Sequence, residues 1–423
     1  MELSSIFFCI ALVGLAACAA QVWAVHKTLS RKDNILPGDT AEDGVRFPPV
    51  SVLKPLKGLD DNLFDNLESI CAQDYPAYEV IFALQDPNDP AHKVAQKVKE
   101  KYPGKDITIL IARCTDGLNP KVNNLIPACR RAKYEQILIS DSNVHVSRHY
   151  LKAIASQAAD PRVGLVSNVI VGVGGRSLGA VLENLHLNSF VIGSVCFLNR
   201  TLKMPCVVGK SMLMKKSDLE AIGGLHEFKD VLAEDYLIGK KMREGGKKVV
   251  LSHHLVRNVN DHWDIRRFLN RHSRWGKLRW KIGGLSYLSE LIANPVFVSL
   301  LPLLFLEISR TTIFFTAFVS AVKSASDMWI GKMLARANNS IAEQRDGLST
   351  SAPRSVHPLW YVLTPLKDMV IGFMWFVPFV STTVVWRGNR YIIGKESRLY
   401  PFPETGFWSW PHRLAHVIRT RFA

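Results

Sequence analysis

Two hydrophobic rhythms share this chain of 423 residues. The first runs from about residue 49 to residue 251. Apolar runs at 49–56, 78–84, 107–111 and 134–140 are short and rich in branched residues, which reads as buried strand. Between them, 60–72, 91–101 and 122–131 place apolar residues three and four apart, which reads as helix. Further on, 163–171 reads as strand, 178–191 as helix, 206–214 as a loop and 248–251 as a short strand. Residues 263–280 form a strongly basic helix. Ser217 followed by Glu220 has the spacing of a capping box. This alternation predicts an α/β domain, a mostly parallel sheet with helices on both faces.

The second rhythm is slower. Residues 6–25 are apolar except for Gln21, long enough to cross a bilayer. The start, Met-Glu-Leu-Ser-Ser, lacks the basic region of a secretory leader, and His26, Lys27, Arg31 and Lys32 follow the segment instead. The expectation is an uncleaved anchor with residue 27 onward in the cytosol. A cleaved leader is the competing reading, supported by Ala-Ala-Cys-Ala-Ala at 16–20. Residues 33–48 read as a linker. From residue 287 the chain turns apolar again. Segments 288–306 and 311–322 suggest a membrane hairpin, a basic polar loop follows, and 359–385 is a further apolar stretch. The end, from Trp386, is rich in Arg, Trp and Pro and suits a headgroup-level surface. Three simple spans would leave this basic tail outside, so a re-entrant or interfacial segment is expected between 288 and 385. The predicted organisation is an anchor and linker at 1–47, a catalytic domain at 48–284, and a membrane or interfacial region at 285–423.

Composition narrows the partners. Apolar residues make up 48% and charged residues 21%, which fits a soluble domain joined to membrane segments. The formal charge of +16 attracts nucleic acid, an anionic membrane face or a phosphorylated substrate. No zinc-finger spacing or RNA-recognition signature favours nucleic acid, which is set aside. None of the seven cysteines forms a Cys-x-x-Cys pair, so free thiols are expected.

Ligands of an open α/β sheet sit outside the carboxyl ends of its strands. Asp141 stands there, where the run Ile-Leu-Ile-Ser at 137–140 breaks into polar residues. Taken alone, it could simply cap the next turn. Asp86, Glu234 and Asp235 also fall at strand ends or loops. Two basic clusters can face them: Lys121 in Asn-Pro-Lys-Val-Asn-Asn, and Arg-His-Ser-Arg-Trp at 271–275. Carboxylates beside cations and a divalent ion suit transfer from a sugar nucleotide. The cations share the leaving-group charge, and one carboxylate takes the acceptor proton. The bland readings are a solvated basic face for 271–280 and helix-dipole partners for Glu234 and Asp235.

Six stretches carry a resemblance. They are Val-Ser-Val-Leu-Lys-Pro-Leu-Lys-Gly (50–58), Gln-Asp-Pro-Asn-Asp-Pro (85–90), Gly-Leu-Asn-Pro-Lys-Val-Asn-Asn-Leu (117–125), Ser-Asp-Ser-Asn (140–143), Ala-Glu-Asp-Tyr (233–236) and Arg-His-Ser-Arg-Trp (271–275). In this order they resemble the ceramide glucosyltransferase family, membrane-anchored transferases with a GT-A fold. The tail Trp-Arg-Gly-Asn-Arg-Tyr at 386–391 resembles the family's ending. The resemblance implies an inverting transfer from UDP-glucose to the primary hydroxyl of ceramide, at the cytosolic face of a membrane. Bacterial relatives that glycosylate hopanoid lipids with UDP-N-acetylglucosamine look similar at the same motifs, so both readings stay open. A non-catalytic lipid-binding scaffold predicts decay of the charged positions, all of which are present. By position, the resemblance implies that Asp86 holds the base or ribose and that Asp141 is the metal-linked aspartate. It implies Asp235 as catalytic base, and Arg271, Arg274 and Trp275 as the grip on the diphosphate. Lys54 and Lys121 fall in matching motifs and are expected at the nucleotide sugar. Gly209, Lys210 and Ser211 are expected near the sugar or acceptor. Asn143 replaces the second acid of the broader Asp-x-Asp pattern. It can offer a Mg2+ or Mn2+ ion a carbonyl oxygen but no charge.

Overall fold

The computed structural model describes residues 3–30, 47–343 and 354–403. Most of the expected linker and the end of the basic tail lie outside the described residues. Eight strands form the main sheet: β1 (Val50–Pro55), β2 (Tyr78–Leu84), β3 (Ile107–Ile111), β4 (Gln136–Ser140), β5 (Val144–His145), β6 (Val163–Val173), β7 (Ser211–Lys215) and β8 (Lys248–Val259). Their spatial order is β3-β2-β1-β4-β7-β6-β8-β5. Strands β1 to β4, β6 and β8 run one way, while β7 and β5 run against them. The sheet is therefore mostly parallel, as the alternation predicts.

The central strands are buried on both faces. Leu138 belongs to the core on one side, and its neighbours Ile137 and Ile139 to the core on the other. That two-sided burial explains why the strands read as unbroken apolar runs. Helices Leu63–Cys71 and Pro90–Lys101 cover the first face. Helices Pro120–Arg131 and Glu234–Glu244 cover the second.

Several local expectations are corrected. The expected loop at 206–214 ends in a true strand, β7, which pairs antiparallel with both β4 and β6. Strand β8 runs on to Val259 because it pairs with β6 through two register shifts. The helix expected at 178–191 continues through a π-turn, Leu187–Val191, to Thr201. The capping box does not form: the Ser217 hydroxyl bonds Glu135, and the helix is Lys216–Ala221.

Among the described residues, four helices are long and apolar enough to cross a membrane: Leu3–Leu29, Leu178–Thr201, Arg310–Ser340 and Pro358–Val380. The second is mostly buried against the rest of the protein. A bent pair, Ile265–Ile292 and Pro295–Phe305, turns through 73°. At about 1.5 Å per residue, Pro295–Phe305 spans only about 16 Å, short of the ~30 Å of a bilayer core. It packs against Arg310–Glu343, a single helix that absorbs the beginning of the expected polar loop. Exposed Leu304, Phe305, Ile308, Ile313 and Phe314 crowd the tip of this hairpin. Between its long helix and the helix Thr364–Met374, Lys323 and Lys367 pair with Asp327 and Asp368, so the buried charges cancel.

The tail differs most from its expected form. β9 (Thr383–Trp386), β10 (Asn389–Ile393) and β11 (Leu399–Pro401) make a small antiparallel sheet. Val384, Tyr391, Ile393 and Leu399 pack on Leu232 of the catalytic domain. Ser397 accepts a bond from the Leu232 N–H (3.0 Å), and its hydroxyl accepts one from the Ala233 N–H (3.1 Å). Residues 383–401 thus pack directly against the α/β domain.

Candidate functional site

The site forms where β4 ends beside β7. Their antiparallel register pairs Ser140 with Ser211, so the next residue on one strand, Asp141, faces the preceding residue on the other, Lys210. The Lys210 ammonium lies 2.9 Å from the Asp141 carboxylate and donates to the Asn143 amide oxygen at 2.8 Å. Lys121 comes from the first turn of Pro120–Arg131, whose amino end Asn119 caps. Its ammonium reaches Asp141 (2.9 Å), Glu234 (2.9 Å) and the Gly209 carbonyl (3.0 Å). Burial pushes the Asp141 carboxyl up, but Lys121 and Lys210 outweigh it and hold the group well below the usual carboxylate range. Burial likewise opposes the charge on Lys121, and Asp141, Glu234 and Asp235 together more than restore it.

Lys54 sits beneath this loop and is fully buried. It donates to the main-chain carbonyls of Asp141 (2.8 Å) and Val144 (3.4 Å), and burial pushes it down to about 7. Its position is that of a prop under the Asp141 turn. Asp86 is exposed beyond the end of β2, where its carboxylate accepts from the Asn88 N–H. With β1 between β2 and β4, Asp86 and Asp141 stand at one sheet edge, about 10 Å apart by strand spacing.

Asp235 opens the helix Glu234–Glu244. Its carboxylate accepts the main-chain N–H groups of Gly209 (2.9 Å) and Tyr236 (2.8 Å). A side chain at 209 would put its Cβ 2.5 Å from the Asp235 oxygen, so glycine is required there. Burial, and then the negative charge of Glu234, push Asp235 up to about 6. Glu234 points elsewhere, to Lys121 and to the Asn119 amide at 3.1 Å. Neighbouring acids on a helix face different directions, and here they have different partners.

The basic helix Ile265–Gly283 brings the other cations. Arg271 is buried between Trp263 and Trp275, 5.1 and 4.2 Å from their ring centres, and pairs with Glu183 at 3.1 Å. His272 bonds the other Glu183 oxygen at 2.9 Å. Arg274 has no carboxylate partner among the described residues; its guanidinium lies 5.8 Å from the Trp386 ring of the tail sheet. The two arginines share a helix face but not a situation: one is already paired with a carboxylate, the other is open to an anion.

Sequence reasoning gave Lys210 only a weak place and missed Glu183 and Trp263. Glu183 did carry a signal. A carboxylate in an apolar helix must find a cation, and the basic helix is the nearest source. For a divalent cation, Asp141 and Asn143 offer one carboxylate and one amide oxygen. No group of three or more His, Cys, Asp or Glu among the described residues could hold a metal. A Mg2+ held mainly by substrate phosphates needs no more than one or two carboxylates. Both oxygens bond the Lys210 ammonium here, so the donor set fits an ion that arrives with a diphosphate and draws that ammonium to the phosphates.

Residues 6–399 match the family described as glycosyl transferase family 21. The chain is 26% identical over 395 residues to ceramide glucosyltransferase 3 of Caenorhabditis elegans, covering 93% of this chain and 81% of that protein. It is 32% identical over 239 residues to ceramide glucosyltransferase 1 of the same nematode, covering 55% and 50%. Among solved structures it resembles the mannosyltransferase PcManGT from Pyrobaculum calidifontis, in complex with GDP-Man and Mn2+. The TM-score is 0.50 at 18% identity, over 90% of this chain and 98% of that one, a likeness of fold alone.

Proposed function

The chain belongs to glycosyl transferase family 21 and is a hexosyltransferase with a GT-A fold; on that premise we propose that it moves glucose from UDP-glucose to the primary hydroxyl of ceramide. The observation that carries the reading is the cation-lined Asp141 turn and the buried Asp235 carboxylate, both bonded by the segment Gly209–Ser211. The names of the curated relatives support the acceptor, and the fold neighbour's bound GDP-Man supports a nucleotide-sugar donor.

In this reading the donor diphosphate lies against Lys121, Lys210 and Arg274. Asp235 takes the proton of the acceptor hydroxyl as its oxygen attacks the anomeric carbon from the face opposite UDP. The new C–O bond forms, the bond to the phosphate oxygen breaks, and UDP leaves with the electron pair while the cations share its charge. Asp141 and Asn143 would hold a Mg2+ or Mn2+ ion, which would supply further charge neutralisation on the phosphates. Asp86 stands at the nucleoside end, and Trp275 packs Arg271 so that the helix presents Arg274.

Purified protein in lipid nanodiscs, given UDP-glucose or UDP-N-acetylglucosamine with ceramide or a hopanoid, tests the reading by mass spectrometry. The expected product is β-glucosylceramide. N-acetylhexosamine on the hopanoid alone would replace the reading with its bacterial counterpart. In the same assay, excess chelator should abolish most turnover and added Mg2+ or Mn2+ should restore it. Full turnover in chelator would mean that Lys121, Lys210 and Arg274 carry the charge unaided.

The placement is multi-pass, with the catalytic domain of residues 48–284 on the cytosolic face. The basic residues that follow the first apolar helix support it. Single cysteines introduced on exposed positions of that domain should resist an impermeant maleimide in intact cells and react after permeabilisation. Labelling before permeabilisation would reverse the orientation.

A further inference from the structure

A narrow cleft lies between the basic helix Ile265–Gly283, the end of helix Leu178–His186, residues 287–294, and the helices Arg310–Glu343 and Thr364–Met374, with Lys323 and the Arg279–Glu290 ion pair on its walls. The deepest polar group on its wall is His186, only 1% exposed. Neither of its ring nitrogens has a hydrogen-bond partner among the described residues. The ring is held by stacking on Phe190 at 5.2 Å and by an edge contact with His272 at 4.6 Å. A π-turn begins at the next residue, a feature frequent at functional sites. Asp368 also lines the cleft, but it is paired with Lys323 (3.7 Å) and Lys367 (3.0 Å). His186 is thus the buried polar group without a partner, which is costly unless something else binds it.

The cleft has room for water-sized atoms of about 30 Å³. That admits about two waters, or one or two polar atoms of a larger molecule, and excludes a whole lipid. Its rim is apolar in a particular way. Trp375, Leu291 and Met374 line it, and the adjoining Ile292, Phe373 and Phe376 are exposed at 41%, 51% and 45%. A molecule seated here would put polar atoms inside and hydrocarbon outside, along the same surface as the apolar hairpin. The cleft also touches the catalytic machinery. His272 lines it and shares Glu183 with Arg271, one turn from Arg274.

We propose that this cleft receives the polar headgroup of the membrane lipid acceptor, with His186 hydrogen-bonding its hydroxyl or amide. The inference rests on the reading of the chain as a lipid glycosyltransferase. A neutral imidazole offers one donor and one acceptor, which matches a hydroxyl or a secondary amide. A fatty chain alone cannot satisfy it.

The test uses the full chain in nanodiscs, with His186→Phe to remove both ring nitrogens and Ala293→Leu to fill the cleft without touching a polar group. The loss of one buried hydrogen bond should raise the acceptor KM about 5- to 20-fold. UDP-glucose binding should stay within about twofold. Donor binding certifies that each variant has folded, and His186→Leu, which likewise has no polar atom, replaces the Phe variant if that one does not. An acceptor KM within twofold of wild type in folded variants would overturn the proposal and leave a cleft that holds water only. If wild-type protein glycosylates no lipid at all, the reading of the function fails instead, whatever the variants do.

Discussion

Asp235→Asn lowers turnover by about 10²–10⁴-fold, the usual contribution of a positioned general base. The amide keeps the shape, although the Gly209 and Tyr236 N–H groups bond different carboxylate oxygens and only one of them keeps an acceptor. It cannot take a proton from a lipid hydroxyl. Donor binding survives, because the diphosphate cations belong to other residues. Glu234→Gln costs less, and its signature is in the pH profile. Asp235 is pushed up to about 6, first by burial and then by the charge of Glu234. A base must be ionised, so kcat/KM falls as pH drops through about 6, by about tenfold per unit below it. Removing the Glu234 charge removes one of the raising effects, and the acid limb moves to lower pH. Near-normal turnover by Asp235→Asn would take it out of the role and reopen the choice among Glu234, Asp230 and Asp141.

Arg274→Lys costs about 10- to 100-fold in kcat/KM for the donor, although the charge is kept. Hydrogen bonds to charged groups are worth about 1.5–3 kcal/mol, and a planar guanidinium makes two where an ammonium makes one. The structure sharpens which arginine this concerns. Arg271 spends its charge on Glu183 and its faces on two tryptophans, so its loss would disturb packing as well as binding. Arg274 has no carboxylate partner among the described residues, lies 5.8 Å from the Trp386 ring, and is the cleaner probe. Steady-state kinetics with varied UDP-glucose would decide it. Equal rates for Lys and Arg would mean that the basic helix merely faces anionic lipid.

Much of the fold and of the site is legible in the amino-acid sequence, for identifiable reasons. Strands β1, β2 and β4 are buried on both faces, so they stand out as compact apolar runs, and Asp141 marks where one stops. What is not legible depends on distant pairing. Nothing local says that Ser211–Lys215 will lie antiparallel to β4, yet that register is what sets Lys210 against Asp141. Lys54 reads as a ligand-binding residue from its motif, but its chemistry is spent on two main-chain carbonyls beneath the site. The tail reads as a membrane-surface segment because Trp and Arg suit that place. They also suit a small sheet whose aromatic faces cover cations, as Trp386 does for Arg274. The short helix Pro295–Phe305 shows its apolar length in the sequence but not its bend.

The bonds from Ser397 to Leu232 and Ala233 join residues 164 positions apart in the second case. A ribosome releases the chain in order, so the helix that carries Asp235 emerges well before its supports exist. Every apolar segment from Pro295 to Val380 is made before Ser397 can close on Ala233. Between those two moments the catalytic domain has its sheet but not the clasp on the turn before Asp235. The turn before Asp235 is thereby secured only by residues made 164 positions later, and a chain stalled short of residue 397 would carry Asp235 on an unsecured turn.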